Sequence, residues 1–231
     1  DEDPTAAEDE CGEGWTPQEG DGDDGDPAVF PGAEEVPCDQ VDSDCDGTGV
    51  GVQAVVAGSE CASVADALAA SIDGDTVYIC PGTVTEGLEI DGGRTLTLAS
   101  WSGDPEDTIV DGQGDHTCLF VGMESHIVVR DLTFQNGWAE DWCDGANCGG
   151  AIASFHSDLE VDRCVFRDNV SEVHGAGVFL HSDLYLETQV TGVFVDSVFE
   201  RNEAWSHGIV DAGGWHAITL SFSRCTFTEN E

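Results

Sequence analysis

From Val52 onward the chain reads as short runs in which apolar and polar residues alternate, each run ending at Gly, Asn or Asp. DTVYIC, RTLTLAS, HIVVRDLTF, LEVDRCVF, GVFVDSVF and AITLSFSRCTF are such runs. A period of two, broken by frequent turn residues, predicts β-strands of about five or six residues. One segment follows a different period. In SVADALAASIDG, Val64, Leu68 and Ile72 recur every four residues, Ser63 and Asp66 have capping-box-like spacing, and Gly74 can stop a helix. This predicts a helix over about 63–73, ahead of an all-β body.

The strands repeat. RCVFRDN, DSVFERN and SRCTFTEN share Phe-x-x-Asn, at Phe166/Asn169, Phe199/Asn202 and Phe227/Asn230, and LTFQNG is an imperfect earlier copy. Phe134, Phe166, Phe199 and Phe227 are separated by 32, 33 and 28 residues. HSDL occurs at 156–159 and 181–184, and Asn169-x4-His174-Gly175 recurs as Asn202-x4-His207-Gly208. Periods in this range mark solenoids, propellers or arrays. A propeller blade needs four antiparallel strands per repeat, whereas these repeats offer two or three strands and drift in length. That favours a parallel β-helix, in which insertions fall in turns while strand columns keep register. Coils stacked about 4.8 Å apart would align Phe inside and Asn at the turns as ladders. The leading helix would then lid the first coil.

Composition changes the picture at the N-terminus. The chain has 231 residues, 48 of them acidic and six basic, all six Arg, for a net charge of −42. Residues 1–49 hold 18 of the acids, no basic residue, and little apolar periodicity. They read as an acidic arm that cannot build a core alone, and residues 50–231 read as the folded body. Six scattered arginines cannot neutralise a phosphate backbone, so no nucleic-acid partner is expected. An anionic bilayer would repel the chain, no apolar run is long enough to span one, and no membrane insertion is expected. Cations are the natural partners of such a surface.

Ten cysteines with no CxxC pair point to disulfides in an exported protein. The candidates are Cys38 with Cys45 across the acidic loop, Cys61 with Cys80 around the helix and first strand, and Cys143 with Cys148 across CDGANC. The first residue, Asp1, reads as the start of a processed chain or a fragment.

Two resemblances rest on these residues. ASVADALAASIDGDTVYICPGTVTEGLEIDGGRTLTLAS resembles the opening of the pectin-lyase-like superfamily of right-handed parallel β-helices. GGAIASF and the Phe-x-x-Asn copies resemble the repeats of chlamydial polymorphic outer membrane proteins and related bacterial surface proteins. Together they cover about residues 58–231. They imply a right-handed, single-stranded parallel β-helix with an N-terminal capping helix, and no particular activity, because lyases, hydrolases, adhesins and structural proteins share that fold. GDGDDGDPAVFPGAEEVPCDQVDSDCDGTG, residues 20–49, is similar to a metal-binding motif of bacterial surface proteins, a secreted copper-binding one among them. The likeness runs through Asp23-Asp24, Asp26-Pro27, Pro31-Gly32-Ala33, Glu35-Val36, Cys38-Asp39, Asp42 and Asp44-Cys45-Asp46-Gly47. It departs at Gly22, where the family usually has Cys, and at the inserted Pro37. It carries no copper ligand onto this chain.

Asp42-x-Asp44-x-Asp46-Gly47 has the first half of a calcium loop, but the twelfth position is Gln53, so it is not an EF-hand. Asp21, Asp23, Asp24 and Asp26 are the expected carboxylates to complete a Ca2+ shell. Asp111, Asp115 and His116, with Arg130 or Arg163, form the only tempting acid–base group, but ordinary Asp-Gly turns of a β-helix account for it better, since paired hydrolase motifs are absent and a polyanionic substrate would face the −42 charge. No catalytic residue is assigned. Cys148, His174 and His207 occupy one repeat position. They read as a turn ladder, since the outer two would be about 9.6 Å apart, or as soft metal ligands. Trp138, Trp142 and Trp205 in adjacent turns read as packing or as a platform for sugar rings.

The expectation is a secreted or cell-surface bacterial protein, left after signal removal, that binds Ca2+ and has a structural or adhesive role. It would associate head to tail into a filament, with a surface polysaccharide as a further partner. The competing class is a polysaccharide-active lyase or glycoside hydrolase, or a carbohydrate-binding surface protein.

Overall fold

The computed structural model describes residues 28–47, 49–122, 124–139, 149–182 and 189–231. Two short strands, β1 (Ala54–Val56) and β2 (Ser59–Cys61), form an antiparallel hairpin, and α1 (Val64–Ala70) follows. The chain then winds. It runs through β3 (Thr76–Ile79), β4 (Gly82–Val84) and β5 (Leu88–Ile90), and again through β6 (Thr95–Ser100), β7 (Thr108–Asp111) and β8 (Leu119–Val121). The next passes insert a two-residue strand. One is β9 (His126–Arg130), β10 (Thr133–Gln135), β11 (Trp138–Ala139) and β12 (Ile152–Phe155). Another is β13 (Asp158–Asp162), β14 (Val165–Arg167), β15 (Val170–Ser171) and β16 (Val178–Ser182). Then come β17 (Val190–Val195), β18 (Val198–Glu200), β19 (Glu203–Ala204) and β20 (Val210–Gly214), and finally β21 (Ile218–Ser223) and β22 (Thr226–Thr228).

Each pass lays one strand on each face in the same order. Parallel columns result: β3-β6-β9-β13-β17-β21, β4-β7-β10-β14-β18-β22 and β5-β8-β12-β16-β20, with β11-β15-β19 as a short fourth. This is a parallel β-helix. Its interior is closed at the hairpin end. β1 pairs antiparallel with β3, which ends that column, and Val64, Ala67 and Leu68 of α1 are buried in the same core as the coils. Ser63 caps α1, accepting from Asp66 N (3.0 Å) and donating to its carboxylate (2.8 Å). The helix is shorter than expected. It ends at Ala70, and Ile72 is 70% exposed, because Arg94 occupies the C-terminal side, donating to Leu68 O (2.8 Å) and to Ser71 O and Oγ.

The repeated residues lie in register. Phe134, Phe166, Phe199 and Phe227 are aligned in consecutive strands, with stacked rings 5.5, 4.6 and 4.6 Å apart. At the turn that follows, Gly137 N donates to Asn169 Oδ1 (2.8 Å) and Asn169 Nδ2 to Asn202 Oδ1 (2.9 Å). Asn202 Nδ2 then donates to Asn230 Oδ1 (3.0 Å). The side-chain amides of Asn169, Asn202 and Asn230 also donate to the preceding coil, to the carbonyls of Phe134, Phe166 and Phe199. The Asn side chain thereby satisfies backbone groups that a turn would otherwise bury unpaired.

The arginines are not scattered. Asp131, Arg163, Asp196 and Arg224 stack at one turn, all with φ near +50° (49° to 55°). Arg163 forks onto Asp131 (2.7 and 2.8 Å) and Arg224 onto Asp196 (2.5 and 2.6 Å). At the neighbouring turn Arg201 forks onto Asp168 (2.9 and 3.0 Å). Bidentate pairing of this kind fixes coil on coil at positions whose left-handed backbone disfavours most side chains. Among the described residues, no helix is long and apolar enough to cross a membrane.

Candidate metal centre

Residues 28–47 and 49–53 have no regular secondary structure, yet they are bonded within themselves and to the body, where Gln53 N donates to Cys61 O (3.0 Å) and Cys80 N to Gln53 O (2.9 Å). Gln40 Nε2 donates to Val52 O (2.8 Å), Gly51 N donates to Gln40 Oε1 (2.9 Å), and Phe30 N donates to Ser43 O (2.8 Å). Cys38 is disulfide-bonded to Cys80, beside β3, and a small apolar cluster of Val52, Val55 and Cys80 surrounds the bond. This corrects both expected pairings: Cys45 and Cys61 are free thiols, as are Cys118, Cys164 and Cys225. The physical reason is that the arm folds back over the hairpin, so Cys38 meets the body and not its neighbour along the loop. Cys11, Cys143 and Cys148 lie outside the described residues.

That anchoring gathers carboxylates. Glu35, Asp42 and Asp44 each offer an oxygen within 4.8 Å of the others. The loop orients them through its own N–H groups. Asp44 N donates to Glu35 Oε1 (2.7 Å), Asp46 N to Asp42 Oδ1 and Asp44 Oδ1 (3.1 Å each), and Gly47 N to Asp42 Oδ2 (2.9 Å). Glu35 Oε2 is buried without a hydrogen-bond partner. Gly49, at φ +87°, closes over it: a Cβ there would lie 2.5 Å from that oxygen and 2.7 Å from Val41 O. Glu60, on β2, adds a second buried, unpartnered oxygen, Oε1. Burial, and then the charges of Glu35 and Asp39, push the Glu60 carboxyl above its ordinary range. So many carboxylates on a poorly solvated surface repel one another unless a cation intervenes.

The expected ligands divide accordingly. Asp42 and Asp44 belong to the cluster, whereas Asp46 contributes its backbone and is not one of the three converging side chains. Asp21, Asp23, Asp24 and Asp26 lie outside the described residues. Glu35 and Glu60 were missed. Glu35 stands in the Glu35-Val36 match of the arm motif, a signal that was available. Glu60 comes into place only through packing of the arm on the hairpin, which no local pattern announces.

The other candidates resolve differently. Asp111 accepts from Gln135 Nε2 (2.7 Å), Asn136 Nδ2 (3.0 Å) and Gln113 N (2.8 Å). Burial raises its pKa, but these bonds and the nearby His116 leave it below the ordinary carboxylate range. His116 Nδ1 contacts Asp115. Arg163 is committed to Asp131, and Arg130 lies on β9, in a different column from Asp111. Trp138 and Trp205 meet edge to face at 6.4 Å, with Trp205 59% exposed, and Trp142 lies outside the described residues. His174 and His207 do form a ladder, with rings 4.6 Å apart.

A family model described as "Putative metal-binding motif", whose label names copper, matches residues 21–49. No curated protein and no solved structure matches the chain. Among the described residues of the matched segment, the donors gathered are carboxylate oxygens. They suit a hard divalent cation and do not fit copper, which favours imidazole and sulfur.

Proposed function

We propose that the chain is a secreted or cell-surface structural protein whose acidic arm binds Ca2+ and is locked by it onto the end of a parallel β-helix. The observation that carries this reading is the convergence of Glu35, Asp42 and Asp44 within 4.8 Å, with an oxygen of Glu35 buried and unpartnered. Oxygen-only ligands match the preferences of Ca2+, which accepts six to eight oxygens at variable geometry. The Cys38–Cys80 disulfide suits an oxidising compartment outside the cytosol. Catalysis draws little support from Asp111, whose oxygens already serve the turns around it.

Calorimetric titration with Ca2+, on the wild type and on Glu35→Gln, tests the site. One Ca2+ per chain bound by the wild type, and bound at least about tenfold more weakly by the variant, is the expected result, because the amide removes a charge from the shell. Equal binding by both proteins would remove the assignment.

The reading includes adhesive contact with a surface polysaccharide, for which the exposed Trp205 beside Trp138 is the candidate platform. It also includes head-to-tail self-association. Electron microscopy with and without chelator tests the latter: filaments that dissolve without Ca2+ support it, and monomers in both conditions dismiss it.

A further inference from the structure

Far along the β-helix from the arm, consecutive coils carry a second group of ligands with a different chemistry. His174 lies in the turn between β15 and β16, and His207 lies in the equivalent turn between β19 and β20. Their rings tilt against each other at 4.6 Å. Asp211, on β20, reaches back to His174, with Oδ2 2.9 Å from Nδ1. Each of the three offers one ligand atom within 4.8 Å of the other two.

Two details make this more than a stack of imidazoles. His207 Nδ1 lies 2.6 Å from Val173 O. A carbonyl can only accept, so Nδ1 carries the proton and the lone pair of the neutral ring is on Nε2. A backbone carbonyl on one ring nitrogen is the usual way a protein fixes the tautomer of a metal-binding histidine. His174 is also positioned, its ring stacked 4.5 Å above Phe179. The three ligand atoms lie within 4.8 Å of one another, a bound that includes the roughly 3.3 Å spacing that Zn–N and Zn–O bonds of about 2.0–2.1 Å imply for a tetrahedron.

We infer that His174, His207 and Asp211 form a surface site for a borderline divalent transition metal, Zn2+ or Cu2+, separate from the acidic arm and independent of its Ca2+ reading. Two imidazoles and one carboxylate supply three ligands to such an ion and leave a fourth position open to solvent. Ca2+, which prefers oxygen, gains little from the imidazoles.

The test uses the full chain in excess Ca2+, which occupies the oxygen sites. Zn2+ is added by calorimetry to the wild type, His207→Ala, Asp211→Asn and, as a control for the arm, Glu35→Gln. The expected result is one Zn2+ bound by the wild type and by Glu35→Gln, with affinity lower by at least about tenfold in the other two. Cu2+ electron paramagnetic resonance gives a second readout, with coupling to two nitrogens in the wild type and to one in His207→Ala. Unchanged Zn2+ affinity in His207→Ala, or no Zn2+ binding by the wild type, would overturn the assignment. Melting curves that coincide for all four apoproteins show that the loss belongs to the site. If His207→Ala melts early, Asp211→Asn, which keeps the bond to His174, decides the matter alone.

Discussion

Asn169 donates to Oδ1 of Asn202 through both its side-chain Nδ2, at 2.9 Å, and its backbone N–H, at 3.1 Å. One oxygen thus satisfies two donors from the coil beneath, while Asn202 Nδ2 answers the carbonyl of Phe166. All of these groups are buried. Asn202→Ala therefore strands at least one backbone group inside the coil, at a cost of about 2–4 kcal/mol. Chemical denaturation should show that loss, with a smaller one for the partly buried Asn230→Ala. Equal costs would mean that the ladder is not what holds the turns.

The Phe column makes a parallel case. Phe199 is fully buried between two stacked rings, whereas Phe227 is 48% exposed. Phe199→Ala is expected to cost about 3–5 kcal/mol, and Phe227→Ala about 1–2 kcal/mol, by denaturant titration.

Acid should weaken the charged turns. Asp196 is held below the ordinary carboxylate range by its hydrogen bonds from Arg224, and Asp111 is lowered because its hydrogen bonds outweigh burial. A carboxylate with a depressed folded pKa contributes stability that is present above its unfolded value. That contribution is lost as pH falls through the folded one. Relief of the overall negative charge acts in the opposite direction, so the wild type alone is ambiguous. The difference between wild type and Asp111→Asn or Asp196→Asn isolates the contribution. It should shrink as pH drops below about 4, where the unfolded carboxylate begins to protonate. Melting temperature across pH 7 to 2 measures it.

Thiol chemistry should report the core directly. Burial pushes the Cys118 and Cys164 thiols up to about 12. Both stay protonated and shielded at pH 8, so alkylation followed by peptide mass mapping should leave them unmodified until denaturant is added. Early labelling of Cys164 would show that the coils open locally.

Cys38→Ser tests the anchor. The bond closes a loop of sequence separation 42, worth about 4 kcal/mol of chain entropy by loop length. Without it, the arm should become sensitive to protease, the β-helix end that carries the hairpin, cap helix and β3 should melt at lower temperature, and the Ca2+ affinity of the arm should fall.

The fold was legible because a solenoid writes its geometry into the sequence as a period. Phe166, Phe199 and Phe227 face one another because every coil solves the same packing problem, so repetition predicts contact. The same period also joined Asp131, Arg163, Asp196 and Arg224, at the same intervals of 32, 33 and 28 residues as the Phe column. It was overlooked because opposite charges alternate there, and a ladder of unlike residues does not look like a repeat. Metal ligands were harder for the converse reason. Glu60 comes under the charge of Glu35 through a fold-back of the arm, and Asp211 meets His174 across coils with no copy among the described residues. The disulfide was misassigned on the same ground: closeness along the chain favoured Cys45, whereas the arm's path over the hairpin delivered Cys38 to Cys80.

The Cys38–Cys80 bond also sets a route for mechanical load. A pull on the residues ahead of Cys38 passes through sulfur straight to the strand edge at β3. It bypasses the intervening segment that holds the hairpin and the cap helix. Those elements stay slack while the bond is intact. Once it is reduced, the same tug unspools them, releasing up to about 125 Å of chain before β3, the first strand of the first coil, feels strain.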